Sequence, residues 1–133
     1  VFPNYYAFAA LKTDGSLVTW GNSSYGRSLT SPINVSSAVA SGVTEIHSTK
    51  YAFAALKTDG SVVTWGKTDR GGDSSNVSTS LTSGVIKIYS TERAFAVIKD
   101  DGTVITWGDF SYGGDSYSVS SSLSSGLSKI YSN

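Results

Sequence analysis

The sequence predicts a mainly β chain in which three tandem repeats stack through their sheet faces, and three observations carry that expectation. The segment Ala7-Phe8-Ala9-Ala10-Leu11-Lys12-Thr13-Asp14-Gly15-Ser16-Leu17-Val18-Thr19-Trp20-Gly21 recurs at Ala52–Gly66 and, slightly altered, at Ala94–Gly108. Trp20 to Trp65 is 45 positions and Trp65 to Trp107 is 42, a period at which each unit is one supersecondary element that buries its apolar face on a neighbour. In every copy an Asp-Gly pair separates two apolar runs, the local pattern of a β-hairpin. The 133 residues suit one domain, 1–133, divided into repeats at approximately 1–45, 46–87 and 88–133.

The middle copy justifies each element in turn. Ala52-Phe53-Ala54-Ala55-Leu56-Lys57 is apolar on both faces, as a strand within a stack of sheets must be. Thr58-Asp59-Gly60 turns the chain, because Gly accepts the positive φ that the turn demands. Ser61–Gly66 returns as a β-branched strand with Val62 and Thr64 on one face and Val63 and Trp65 on the other. Lys67–Ser75 is a polar loop. After it, Val77, Leu81 and Val85 lie four apart, Asp73 or Ser74 is placed to cap a helix start and Gly84 to end one. Ser and Thr are mediocre helix formers, so one or two helical turns are expected there at most. Val85–Ser90 alternates and reads as a further strand, with Val43–Ser48 and Leu127–Ser132 as its counterparts.

Ten basic and ten acidic residues cancel and no Lys/Arg cluster stands out, so the field that concentrates nucleic acid or anionic membrane is missing and no nucleic-acid partner is expected. No apolar run approaches the roughly 20 residues that span a bilayer, and no charged-then-apolar leader precedes the first repeat; the expectation is a soluble, already processed chain without membrane insertion. Cys and Met are both absent. With Ser and Thr at roughly 30 per cent of the chain, the surface is hydroxyl-rich and near-neutral, which points to an extracellular or cell-surface setting. Asn22-Ser23-Ser24, Asn34-Val35-Ser36 and Asn76-Val77-Ser78 match the N-glycosylation pattern, making Asn22, Asn34 and Asn76 candidate acceptors.

An Ala-Leu-Lys strand, an Asp-Gly turn, a Val-Val-Thr-Trp-Gly strand, a loop such as Trp107-Gly108-Asp109-Phe110-Ser111-Tyr112-Gly113 and a closing Leu123-Ser124-Ser125-Gly126-Leu127 together resemble the short-repeat branch of the regulator of chromosome condensation family, whose blades form a seven-bladed β-propeller. The resemblance covers essentially the whole chain in three copies. It implies propeller-blade-like repeats, in a partial or assembled array, and a rigid scaffold whose exposed loops bind protein. The family's usual Gly-Gln is replaced by Gly71-Gly72-Asp73 and Gly113-Gly114-Asp115, and the first copy reads Gly26-Arg27-Ser28 with an insertion around Pro32, so loop-dependent functions do not carry over. Three blades do not complete a ring of the usual four to eight. Val1-Phe2-Pro3-Asn4 aligns with Ile46-His47-Ser48-Thr49, as does Ile130-Tyr131-Ser132-Asn133, so the expectation is a segment of a longer array or an assembly of several chains. The count of three also suits a β-trefoil, the alternative fold, in which three units close one domain unaided.

The repeated residues read as structural. Trp20, Trp65 and Trp107 recur within a strand and are expected to pack between units rather than to stack on sugars. Asp14, Asp59 and Asp101 sit in Asp-Gly turns. The Gly-Gly-Asp runs lack the further oxygens that calcium requires and are better suited to capping a turn. His47, whose counterparts are Phe2, Tyr89 and Tyr131, occupies an aromatic position. No nucleophile–base pattern or phosphate-binding loop is present, so neither catalysis, a cofactor nor a metal is expected.

The copies differ between Trp-Gly and the following apolar residue: Asn22-Ser23-Ser24-Tyr25, Lys67-Thr68-Asp69-Arg70 and Asp109-Phe110-Ser111-Tyr112. A scaffold that keeps its strands and varies one loop is arranged to present a surface. Tyr25, Asp69, Arg70, Phe110 and Tyr112 are therefore the candidate binding residues. The expected function is a non-enzymatic module for protein interaction, adhesion or self-assembly, with other proteins or copies of itself as partners; the alternative is a lectin-like module that binds glycans through those aromatics.

Overall fold

The computed structural model describes residues 1–26, 28 and 35–133. Each repeat motif forms an antiparallel hairpin, and each hairpin is joined by a strand from just upstream. Strands β1 (Phe2–Pro3), β2 (Ala7–Leu11) and β3 (Leu17–Gly21) make the first sheet, β4 (Val43–Ser48), β5 (Ala52–Lys57) and β6 (Val62–Gly66) the second, and β7 (Val85–Ser90), β8 (Ala94–Lys99) and β9 (Val104–Gly108) the third. In all three the repeated strand is central, which is why its residues are apolar on both faces.

The hairpins are set by their turns. In the middle one, Gly60 donates to the Lys57 carbonyl at 3.0 Å, Lys57 to the Ser61 carbonyl at 3.0 Å, and Gly60 adopts φ 75°. Asp59 Oδ1 accepts from the Ser61 amide at 2.9 Å and its hydroxyl at 2.6 Å, so the carboxylate holds the turn closed. Past the hairpins the chain forms short helical turns: Ser23–Tyr25, Thr68–Arg70 and Phe110–Tyr112, then Val35–Ala38, Ser75–Leu81 and Tyr117–Leu123. Asp73 and Asp115 accept from the Ser75 and Tyr117 amides, both at 2.8 Å, so the Gly-Gly-Asp loops do start the second set of turns.

The three sheets stack face to face around two apolar layers. Between the first and second lie Ala7, Ala9, Val43, Ile46, Phe53, Ala55 and Trp65, roofed by Val35 and Val39. Between the second and third lie Ala52, Ala54, Leu56, Val62, Leu81, Val85, Ile88, Phe95, Val97 and Trp107. The layers are built from register-equivalent residues: in each, Ala residues of one sheet receive the Phe and Trp of the next. Small residues on one face let large rings on the other approach, the alternation that close packing requires.

Two expectations are corrected here. No strand of the first sheet pairs with a strand of the third among the described residues, so three separate sheets replace the self-closing trefoil. Leu127–Ser132 is not a strand. Its counterparts Val43–Ser48 and Val85–Ser90 are held as strands by pairing with β5 and β8, and no such ladder forms at Leu127–Ser132. The stretch around Pro32, and with it Asn34, lies outside the described residues.

Candidate functional site

The residue before each central strand and the last residue of each three-residue turn are brought together at one edge of the stack. Asn22 donates to the Tyr6 carbonyl at 2.8 Å, Lys67 to that of Tyr51 at 3.0 Å and Asp109 to that of Arg93 at 3.0 Å, so each variable loop is pinned to the start of its own sheet. A polar residue clasps the far end of the loop. Thr49 Oγ1 donates to the Arg70 carbonyl at 3.2 Å while accepting from the Ala52 amide at 3.0 Å, and Thr91 joins Tyr112 to Ala94 in the same way at 2.7 and 3.1 Å. Asn4 does both tasks in the first repeat, donating to the Tyr25 carbonyl and accepting from the Ala7 amide.

The side chains so placed form one continuous ridge. Tyr6 stacks on Tyr25 at 4.4 Å between ring centres, and both approach Tyr51, at 6.1 and 5.9 Å. The Arg93 guanidinium lies 5.7 Å from the Tyr51 ring centre and 4.3 Å from that of Tyr112. Arg70 and Arg93 converge on Asp109, which Arg70 contacts closely and Arg93 approaches at 3.9 Å. The same carboxylate caps its own turn, accepting from the Ser111 amide at 3.0 Å.

A second line runs beside the first. Tyr5 donates to the Lys50 carbonyl at 3.2 Å and Lys50 to the Glu92 carbonyl at 2.9 Å, linking the sheets by backbone bonds along the edge. Lys50 Nζ pairs with Glu92 at 2.9 Å and lies 4.9 Å from the Tyr5 ring centre. The shared hydrogen bond raises the Lys50 pKa and lowers that of Glu92, keeping both charged.

Of the residues singled out from the sequence, the ridge gathers Tyr25, Arg70 and Tyr112, each the third residue of its turn. Asp69 stands beside it, 3.6 Å from both Arg70 Nε and Lys67 Nζ. Phe110 begins its turn and is 77% exposed, outside the network. Sequence reasoning missed Tyr6, Tyr51 and Arg93. Only Arg93 carried a signal, since it stands where the other two copies both have Tyr, immediately before the Ala-Phe-Ala run; Tyr6 and Tyr51 do not differ. Asn22 is exposed, but its side chain accepts from the Ser24 amide at 2.9 Å; Asn76 is exposed on the Ser75–Leu81 turn. His47 bonds Glu45 at 3.1 Å. Among the described residues no three His, Cys, Asp or Glu side chains converge as metal ligands would. What the edge offers chemically is flat aromatic and guanidinium surface held by a charge network.

Stacked, similar, three-stranded sheets define a β-propeller-like repeat protein. No family model matches the chain, and no curated protein matches it either. Among solved structures it is similar to the CRINKLY WD40 ectodomain of the Arabidopsis thaliana receptor kinase ACR4, with a TM-score of 0.55 at 15% identity over 80% of this chain and 38% of that one. Human WBSCR16 also matches, with a TM-score of 0.48 at 23% identity over 77% of this chain and 32% of that one. The first likeness is one of fold: WD40 domains are β-propellers. The chain thus spans well under half the length of either structure.

Proposed function

We propose that this protein is a non-enzymatic interaction module of the regulator of chromosome condensation type, acting outside the cell or at its surface, whose partners are proteins, including copies of itself. The observation that carries the reading is the unbroken ridge Tyr25–Tyr6–Tyr51–Arg93–Tyr112, built from two repeat positions that hold Tyr in two copies and Arg in the third. Tyr and Arg are the residues that dominate binding energy at protein interfaces. Their preorganisation by stacking and by the Asp109 carboxylate lowers the entropy lost on docking. The hydroxyl-rich, charge-balanced composition supports the extracellular setting. Ring faces already engaged by a neighbouring Tyr or Arg are less open to a sugar, which favours a protein partner over a glycan.

The test is selection of a random peptide library on the immobilised chain, with a glycan array in parallel. Peptides that compete with one another and are lost on Tyr6→Ala or Arg93→Ala support the ridge. Glycan binding lost on Tyr112→Ala, with no peptides enriched, would replace it with the lectin reading.

A further inference from the structure

We infer that the two outer faces of the stack are complementary to each other, so that a second copy of this chain docks head to tail, its Phe8–Trp20 pair seated against Gly113. This deepens the self-association part of the proposed function and is independent of the ridge.

The chain already forms this joint twice within itself. Phe53 and Trp65 stack at 5.3 Å, are fully buried, and sit on Gly26: a Cβ there would lie 2.5 Å from the Phe53 ring, and Trp65 Nε1 donates to the Gly26 carbonyl at 3.1 Å. Phe95 and Trp107 repeat this on Gly71, with a Cβ distance of 2.7 Å to the ring and a 3.1 Å bond from Trp107 Nε1 to the Gly71 carbonyl. Phe8 and Trp20 form the same stacked pair at 5.2 Å, yet are 41% and 43% exposed on the outer face of the first sheet, with Val18 beside them. Gly113 holds the register of Gly26 and Gly71, with φ 96°, and nothing lies within 4 Å of where its Cβ would be.

The rest of the socket matches. The outer face of the third sheet contributes Ala94, Ala96, Val104 and Thr106 to a cavity of about 280 Å³, which Leu123 and the C-terminal residues 130–133 complete. Its strand residues correspond to the Ala52, Ala54, Val62 and Thr64 that receive Phe95 and Trp107 inside the chain. A second anchor lies at the hairpin side. Thr58 donates to the Gly42 carbonyl at 2.9 Å and Asp100 to the Gly84 carbonyl at 2.8 Å. Gly126, next in that series, has nothing within 4 Å of its Cβ position, and Thr13 of a docking copy holds the register of Thr58 and Asp100. Exposed aromatic surface on one face and an apolar socket on the other make a heterologous contact, which closes into a ring or extends. Two copies, with three sheets each, carry a number within the range at which propellers close.

The experiment is sedimentation of the 133-residue chain from about 1 to 300 μM, with Trp20→Glu and Gly113→Asn variants, the latter because Asn tolerates positive φ and adds a side chain where the ring must sit. Near-ultraviolet circular dichroism of the buried Trp65 and Trp107 confirms that each variant is folded. The wild-type chain is expected to assemble, each variant alone to remain a single chain across that range, and an equimolar mixture to form a one-to-one pair, since one variant retains the ring pair and the other the socket. Arg93→Ala is expected to assemble as the wild type does, which separates this joint from the ridge. A wild-type chain that stays single throughout, a Gly113→Asn variant that still self-associates, or a mixture that forms no pair would overturn the inference.

Discussion

Trp107 donates its indole N–H to the carbonyl of Gly71, 36 residues earlier, at 3.1 Å, and Trp65 makes the same bond to Gly26. The bond satisfies the single polar atom of a ring that is otherwise packed in an apolar layer, so the Trp serves as both filler and register pin between sheets. Its glycine partner is required by space, because the Phe ring stacked on the Trp lies against the glycine's open side.

Gly71→Ala and Gly113→Ala therefore differ sharply although both residues have positive φ. The first forces a methyl group against Phe95 and is expected to cost roughly 3 kcal/mol in a urea unfolding series, combining overpacking with backbone strain. The second meets open space and is expected to cost about 1 kcal/mol. Equal losses at the two positions would refute the spacing argument.

Trp65 and Trp20 are expected to separate in the same way. Trp65→Ala leaves a large cavity between sheets and is expected to lower stability by roughly 3–5 kcal/mol. Trp20→Ala, at a concentration where the chain is monomeric, is expected to change it by less than about 1 kcal/mol. Chemical denaturation followed by the fluorescence of the remaining tryptophans reads both.

The hairpin carboxylates make stability depend on acid. The Ser16 hydroxyl, then its amide and Lys12, lower the Asp14 pKa to about 2, and the Ser61 and Thr103 side chains lower those of Asp59 and Asp101. A pKa lower in the folded than in the unfolded chain contributes stability that is present above the unfolded value, near 3.8, and is lost as pH falls through the folded one. Thermal midpoints are expected to fall between about pH 4 and pH 2, and the D14N/D59N/D101N chain to start lower and lose less over that window.

Asp109 has two roles that substitution can part. Asp109→Asn keeps an oxygen for the Ser111 amide but removes the charge facing Arg70 and Arg93, so stability is expected to drop by under about 1 kcal/mol while its salt dependence weakens. Asp109→Ala removes the cap as well and is expected to cost about 1 kcal/mol more. In both variants the Tyr112 ring resonances are expected to move, because the Arg93 guanidinium over that ring loses the Asp109 charge and keeps only its 3.2 Å bond to Glu92.

The strands and turns were legible because their causes are local. An apolar run, an Asp-Gly pair and a β-branched run specify a hairpin wherever they occur. Tyr25, Arg70 and Tyr112 could be singled out because they end loops that vary among the copies. Tyr6, Tyr51 and Arg93 escaped because each looks like the first residue of a strand; only the backbone bond from the loop to that residue shows that the two belong to one surface. The Leu127–Ser132 segment misled for a related reason: its alternation matches β4 and β7, but strand pairing needs a partner strand that alternation does not supply.

The sequence by itself determined three hairpins, their turn chemistry and their propeller-like repetition, since these depend on residues within a few positions of one another. The tertiary structure alone decided that equivalent residues are not in equivalent settings. Phe53 and Phe95 are buried because a glycine of the preceding repeat lies against them, whereas Phe8 and Trp20, with the same neighbours in sequence, face solvent. Burial belongs to the stack rather than to the repeat, because a sheet has two faces and the residues on each can be covered only by another sheet.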